Sequence, residues 1–183
     1  MSRPFNFPET ISLIGMPGAG KSTVGVLLAK MTGLGFRDTD LDIQLHAQAT
    51  LQEILQRDGH LRLREIEQDI LLTIPLEQTV ISTGGSVVYS ETVMQRLAGA
   101  GPIVYLQADL NTLEKRVSAA PLRGIASSAE HSFADVFAER TPLYRQYADI
   151  TVDVAAASAE EVACAVLEKL QVRDIGRINS TLQ

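Results

Sequence analysis

Residues 15–22, Gly15-Met16-Pro17-Gly18-Ala19-Gly20-Lys21-Ser22, fit the pattern G-x-x-x-x-G-K-[ST] in full. The chemistry such a run supports is the holding of phosphate. Its glycines let the backbone curl so that successive N–H groups point inward at phosphate oxygens. A helix opening at about Ser22 adds the positive end of its dipole. Lys21 then reaches the outer phosphates of a nucleotide, and the Ser22 hydroxyl reaches a Mg2+ ion. The bland alternative is a glycine-rich turn with a chance lysine. The complete motif, set between an apolar run and a helical pattern, speaks against it. The N-K-x-D segment with which GTPases read their base does not occur in the sequence, and a motor-type ATPase module would be larger. Size and context therefore point to a small-molecule kinase that uses ATP and Mg2+.

Asp38-Thr39-Asp40 follows a second short strand pattern. Two carboxylates at the end of a strand can divide labour. One holds a metal through water, while the other orients or deprotonates an acceptor hydroxyl. Spacing alone does not say which does which, and an ordinary helix N-terminus also favours Asp. Gly84-Gly85 follows a third strand, where backbone without side chains can approach a ligand closely or turn tightly into a helix. The net charge of −6 lacks the basic footprint of a nucleic-acid binder. In so acidic a chain, arginines gathered at one site point to an anionic ligand.

These residues need a frame. Apolar, β-rich runs at Ile11–Ile14, Phe36–Asp38, Thr79–Ser82, Ile103–Leu106 and Ile150–Asp153 alternate with helical patterns. The first helix, Ser22–Thr32, places Val24, Leu27, Leu28 and Met31 on one side. Leu51–Asp58 opens on a capping box, Thr50 with Glu53, and Arg62–Leu72 continues as a longer helix. Further helices are expected at 41–47, 90–98, 111–118, 133–148 and 158–170. The alternation predicts a three-layer α/β/α domain around a five-stranded parallel sheet. Ligands sit beyond the carboxyl ends of the strands in such sheets, where most of the residues singled out above fall.

The 183 residues suit one domain, read as 1–172, followed by a polar, flexible tail at 173–183. A content of 45% hydrophobic and 21% charged residues is ordinary for a globular protein. No apolar run approaches the ~20 residues of a membrane span, and the N-terminal residues lack a secretory pattern. The lone cysteine, Cys164, excludes an internal disulfide framework and suits a reducing cytoplasm. Cys164 itself, in a Val/Ala-rich stretch, reads as a small core residue.

The phosphate loop, Asp38-Thr39-Asp40, Gly59-His60-Leu61-Arg62-Leu63-Arg64-Glu65-Ile66-Glu67, Thr83-Gly84-Gly85-Ser86, the pair Arg116 and Arg123, and Glu139-Arg140-Thr141-Pro142-Leu143-Tyr144 occur together. Their order and approximate spacing resemble those of the shikimate kinase family, from about Ile11 to Val154. The resemblance implies a P-loop kinase fold and a monomer. It implies transfer of the γ-phosphate of ATP to the 3-hydroxyl of shikimate, on the route to chorismate and the aromatic amino acids. It further implies that Lys21, Asp40 and Arg123 carry the catalysis. Gly15, Gly18, Ala19, Gly20, Lys21, Ser22 and Thr23 would surround the nucleotide phosphates. Ser22 would bind Mg2+ directly, and Asp38 through water. Arg116 would pack on adenine, and Arg123 would reach over the phosphates from a lid within 119–132. Asp40 would contact the acceptor hydroxyl. Arg64 and Arg140 would clamp the acceptor carboxylate, beside Gly84, Gly85 and Ser86. Two planar guanidinium forks suit one carboxylate. Without the resemblance, Arg64 reads as a helix-surface ion pair with Glu65 or Glu67.

Four positions depart from the family pattern. Ser86 stands where a third glycine is usual, Arg123-Gly124-Ile125-Ala126 where the lid reads R-P-L-L, Leu63 in place of an aromatic residue, and His60 in place of glutamate. Ser86 adds volume and a hydroxyl, which would crowd shikimate or bind a different acceptor. Gly124 loosens the lid hinge, Leu63 keeps an apolar wall without a ring, and His60 reads as a surface residue. These departures leave two further readings open. One is a paralogue that phosphorylates another hydroxylated carboxylic acid; the other is a nucleotide-binding regulatory protein with little transferase activity.

Overall fold

The structure is a computed structural model, which describes residues 8–119 and 131–181, with side chains through Gln171. Five strands form one parallel sheet: β1 (Thr10–Ile14), β2 (Gly35–Asp38), β3 (Thr79–Ser82), β4 (Ile103–Gln107) and β5 (Ile150–Asp153). Their spatial order is β2-β3-β1-β4-β5. All five residues of β1 are buried, as a central strand covered by helices on both faces requires. The chain leaves β1 toward β2 and β3 on one side and later crosses to β4 on the other. The carboxyl end of β1 is thus the switch point where an open α/β sheet offers a crevice, and residues 15–22 begin there.

The helices are α1 (Lys21–Thr32), α2 (Thr39–Ala47), α3 (Leu51–Thr73), α4 (Glu91–Ala100), α5 (Leu110–Ser118), α6 (Phe133–Tyr147) and α7 (Ala159–Thr181). A short 3-10 turn, Val87–Tyr89, precedes α4. The three-layer fold and five-stranded parallel sheet expected from the sequence are therefore present. The capping box at Thr50 and Glu53 also forms. The two expected segments 51–58 and 62–72 join into α3, broken only at Gly59, whose φ of 81° and ψ of 173° are not helical. Helix α7 carries helical backbone through residues 173–181 of the expected tail. Among the described residues, no helix is long and apolar enough to cross a membrane.

The main core surrounds β1, β3 and β4. Ile43 of α2 forms a separate cluster with Ile54, Leu63, Ile66 and Ile70 of α3. This second cluster makes α2 and the two halves of α3 one packed unit beside the sheet. Two expectations fail at the helix surfaces. Met31, expected in the buried stripe of α1, is 46% exposed, because that stripe runs through Val24, Gly25, Leu28, Ala29 and Thr32 and leaves Met31 to one side. Cys164, expected in the core, is exposed; its neighbours Val162, Ala163 and Val166 face inward instead.

Candidate active site

The loop after β1 owes its shape to three glycines. Gly15, Gly18 and Gly20 have φ of 145°, 84° and 89°, conformations that residues with a Cβ rarely adopt. A Cβ on Gly15 would also lie 2.7 Å from the Leu106 carbonyl oxygen of β4. Gly20 is the N-cap of α1, has no side chain to cap with, and leads into a first turn without acidic residues. The N–H groups at this end of α1 therefore suit an anion. Lys21 is buried and donates to the carbonyl oxygens of Gly15 at 2.8 Å and Met16 at 3.1 Å. Burial lowers its pKa to about 8, against the opposing pull of Asp40, Asp38 and Glu67. An ammonium held in so little water gains strongly from a phosphate partner. The Ala19 N–H is taken up inside the loop by the Met16 carbonyl, while Thr23 is exposed at the mouth.

Strand pairing brings the carboxylates to this loop. Asp38 lies opposite Ser82 in the register of β2 and β3, and Ser82 Oγ is 3.4 Å from Ser22 Oγ. Two hydroxyls and a carboxylate thus gather at one corner. This hard-oxygen set, supplemented by water and phosphate, fits Mg2+. Among the described residues there is no cluster of three or more His, Cys, Asp or Glu side chains suited to a metal, so a cation here would depend on the nucleotide. Asp38 also serves as the N-cap of α2, accepting from the Asp40 N–H at 3.0 Å. The helix-start alternative for the Asp pair and the site assignment are thus both compatible with its position. Thr39, between the two carboxylates and fully buried, accepts from the Gly84 N–H at 3.1 Å and ties the two loops together.

Lys21, Ser22, Asp40, Glu67, the Gly84-Gly85-Ser86 turn and Arg140 line one cleft. Gly18, Gly20, Thr23 and Leu63 line it too. The two glycines after β3 are required for space. A Cβ on Gly84 would collide with Glu67 Oε1, and one on Gly85 would lie 3.1 Å from Arg140 Nη1. Tyr144 donates to the Gly85 carbonyl at 2.5 Å and stacks on Tyr105, with ring centroids 5.1 Å apart. Arg140, only 1% exposed, reaches the cleft from α6, a helix started by a capping box of Ser132 and Asp135. Arg64 lines an adjoining cavity that shares Glu67 and Ser86 with the cleft. Its helix neighbour Glu65 pairs with Arg62 at 2.9 Å, and the Arg64 guanidinium lies over the ring of Tyr89, 3.8 Å from the centroid.

Ser86 turns its hydroxyl toward α3 and donates it to Glu67 Oε2. Burial raises the pKa of Glu67 to about 7, while the Ser86 hydrogen bond works the other way. Glu67, named from the sequence only as an ion-pair neighbour of Arg64, and Tyr89 are the residues to which the sequence assigned no place in the site. Glu67 lies three positions after Arg64, on the same helix face, and that spacing was its one available signal. Tyr89 had none. Arg116 stands beside the phosphate loop, its Cβ 3.6 Å from where a Cβ on Gly18 would lie, and its guanidinium donates to the carbonyls of Val154 at 2.7 Å and Ala155 at 3.3 Å. Arg123 and the segment 120–130, where the lid was expected, lie outside the described residues.

The chain is similar to known proteins in both sequence and fold. The family model described as Shikimate kinase matches residues 17–171. The shikimate kinase of Mycobacterium avium is 34% identical over 168 residues, covering 90% of this chain and 95% of the relative. That of Pseudomonas entomophila is 35% identical over 166 residues, covering 89% and 96%. Among solved structures, shikimate kinase from Acinetobacter baumannii in complex with shikimate superposes with a TM-score of 0.79 at 28% identity, covering 91% of this chain and 94% of that one.

Proposed function

The chain belongs to the shikimate kinase family, and from that premise we propose that it transfers the γ-phosphate of ATP to the 3-hydroxyl of shikimate, giving shikimate 3-phosphate and ADP. The observation that carries this reading is a single cleft lined by the phosphate-loop residues Lys21 and Ser22 and by Asp40 and Arg140. Nucleotide and acceptor are thereby given one meeting place.

Residue roles follow from position and charge. The loop N–H groups and Lys21 hold the outer phosphates, and Lys21 offsets charge that develops on the transferred group. Ser22, with Asp38 through water, would hold Mg2+, which would supply further neutralisation of phosphate charge. Asp40 accepts a hydrogen bond from the attacking hydroxyl and aims it. Arg140 and Arg64 bind the carboxylate of the acceptor, Arg116 borders the adenine, and Arg123 closes over the phosphates from the lid. Ser86 spends its hydroxyl on Glu67, so this departure gives no reason to look for a different acceptor. The family resemblance supports a monomer, and we place the reaction in the cytoplasm, where ATP is supplied and a lone thiol stays reduced.

An ADP-release assay over a panel of hydroxy acids tests the reading. Turnover with shikimate is expected, and Arg64→Ala should raise the shikimate KM without changing that of ATP. Turnover with another hydroxy acid but none with shikimate would overturn it.

A further inference from the structure

We propose that Tyr89 is a positioning residue that holds Arg64 and Arg140 in place for the acceptor carboxylate. The inference rests on the shikimate reading above. One half-buried side chain engages both cations by different means. The Arg64 guanidinium carbon stands 3.8 Å from the centre of the Tyr89 ring, and that of Arg140 stands 5.3 Å from it. Arg140 Nε also donates to the Tyr89 hydroxyl oxygen at 3.3 Å.

The need for such a device is electrostatic. Two guanidinium groups brought to one carboxylate repel each other before the carboxylate arrives. A ring face, negative at its centre, attracts a cation without adding a full charge that would compete with the acceptor. Leu63, the neighbour of Arg64, has no ring to offer, and its side chain is buried in the cluster between α2 and α3. Tyr89 provides the ring from the opposite wall.

Its own placement is firm. Tyr89 ends the 3-10 turn that follows the Gly84-Gly85-Ser86 loop, and its N–H donates to the Ser86 carbonyl at 3.1 Å. Val87 and Val88, the two preceding residues, are each 2% exposed and anchor the turn in the main core. The platform and the acceptor loop therefore form one anchored piece. An arginine on α3 and another on α6 are both referred to that piece, which sets their separation before the acceptor binds and reduces the ordering needed on binding.

Steady-state kinetics of the full chain test the role, with shikimate and ATP varied in turn. Tyr89→Leu removes both the ring and the acceptor oxygen, and the shikimate KM should rise about tenfold. The ATP KM and kcat should stay at wild-type values. Tyr89→Phe keeps the ring and should recover most of the loss. Should Tyr89→Leu not fold, Tyr89→Gln, polar but without a ring, carries the same expectation. An unmoved shikimate KM in the ring-less variant, or an equal rise in the ATP KM, would overturn the positioning role. Wild-type protein without turnover on shikimate would instead overturn the shikimate reading, and this proposal with it.

Discussion

The hydroxyl of Ser86 donates a hydrogen bond to the carboxyl of Glu67 and so joins the glycine turn after β3 to the middle of α3. Glu67 is 3% exposed, and among the described residues its other oxygen, Oε1, has no hydrogen-bond partner. That oxygen rests against Gly84. Burial and the nearby Asp40 carboxylate favour the neutral acid, whereas Ser86, Arg140 and Lys21 favour the anion. The balance leaves Glu67 titrating near neutrality, at the boundary between the cleft and the cavity that holds Arg64.

The Ser86 bond should therefore be worth more when Glu67 is charged. Ser86→Gly is expected to lower unfolding free energy by about 1.5–3 kcal/mol at pH 8, the range for hydrogen bonds to charged groups, and by less at pH 5. Urea denaturation at both pH values provides the comparison. An equal loss at each would assign the effect to the backbone entropy of glycine.

Glu67 makes stability depend on pH in a definite direction. Its pKa rises from the ordinary 4.5 to about 7 on folding, so between these values the folded chain binds more protons than the unfolded one. Stability from this group is then undiminished below 4.5 and declines as pH rises through 7. Glu67→Gln, always neutral, should remove that decline. The stability difference between variant and wild type should open between pH 4.5 and 7 and stay constant above. A constant difference across the whole range would contradict the assignment.

Lys21 should separate activity from stability. Its ammonium is buried and donates to two carbonyl oxygens, and its pKa falls from 10.5 to about 8 on folding. The unfolded chain thus binds more protons between these values, and wild-type stability should rise with pH across that window. Lys21→Met should abolish this rise and leave Tm at pH 7 unchanged or higher, while kcat falls by about a hundredfold or more. Thermal melts from pH 7 to 10.5, alongside kinetics, check both halves. A variant with wild-type turnover would remove Lys21 from the chemistry.

Asp40 should act on rate more than on binding. Asp40→Asn keeps the shape but loses the charge facing the acceptor, and kcat should fall by about 10²–10⁴-fold with the ATP KM retained. Stopped assays with saturating shikimate measure it. A turnover close to wild type would move the hydroxyl-orienting role elsewhere.

The amino-acid order alone determined the phosphate loop, the alternation of strands and helices, and the identity of most charged groups in the cleft. Each depends on short-range physics. Gly15, Gly18 and Gly20 free the backbone locally, Thr50 and Glu53 cap within one turn, and Asp38 and Asp40 lie two residues apart at a strand end. Periodicity found the buried side of α1 but not its edge at Met31, and it did not tell Cys164 from its inward-facing neighbours. Only the tertiary structure decided the partners that cross between elements. The sequence left Ser86 facing the acceptor space, yet the approach of α3 to the β3 loop offered it a buried carboxyl. Arg64 was free to pair along its own helix, yet the 3-10 turn placed the ring of Tyr89 beneath it. Such contacts depend on how two elements distant in sequence pack against each other, and neither element's own pattern encodes that crossing.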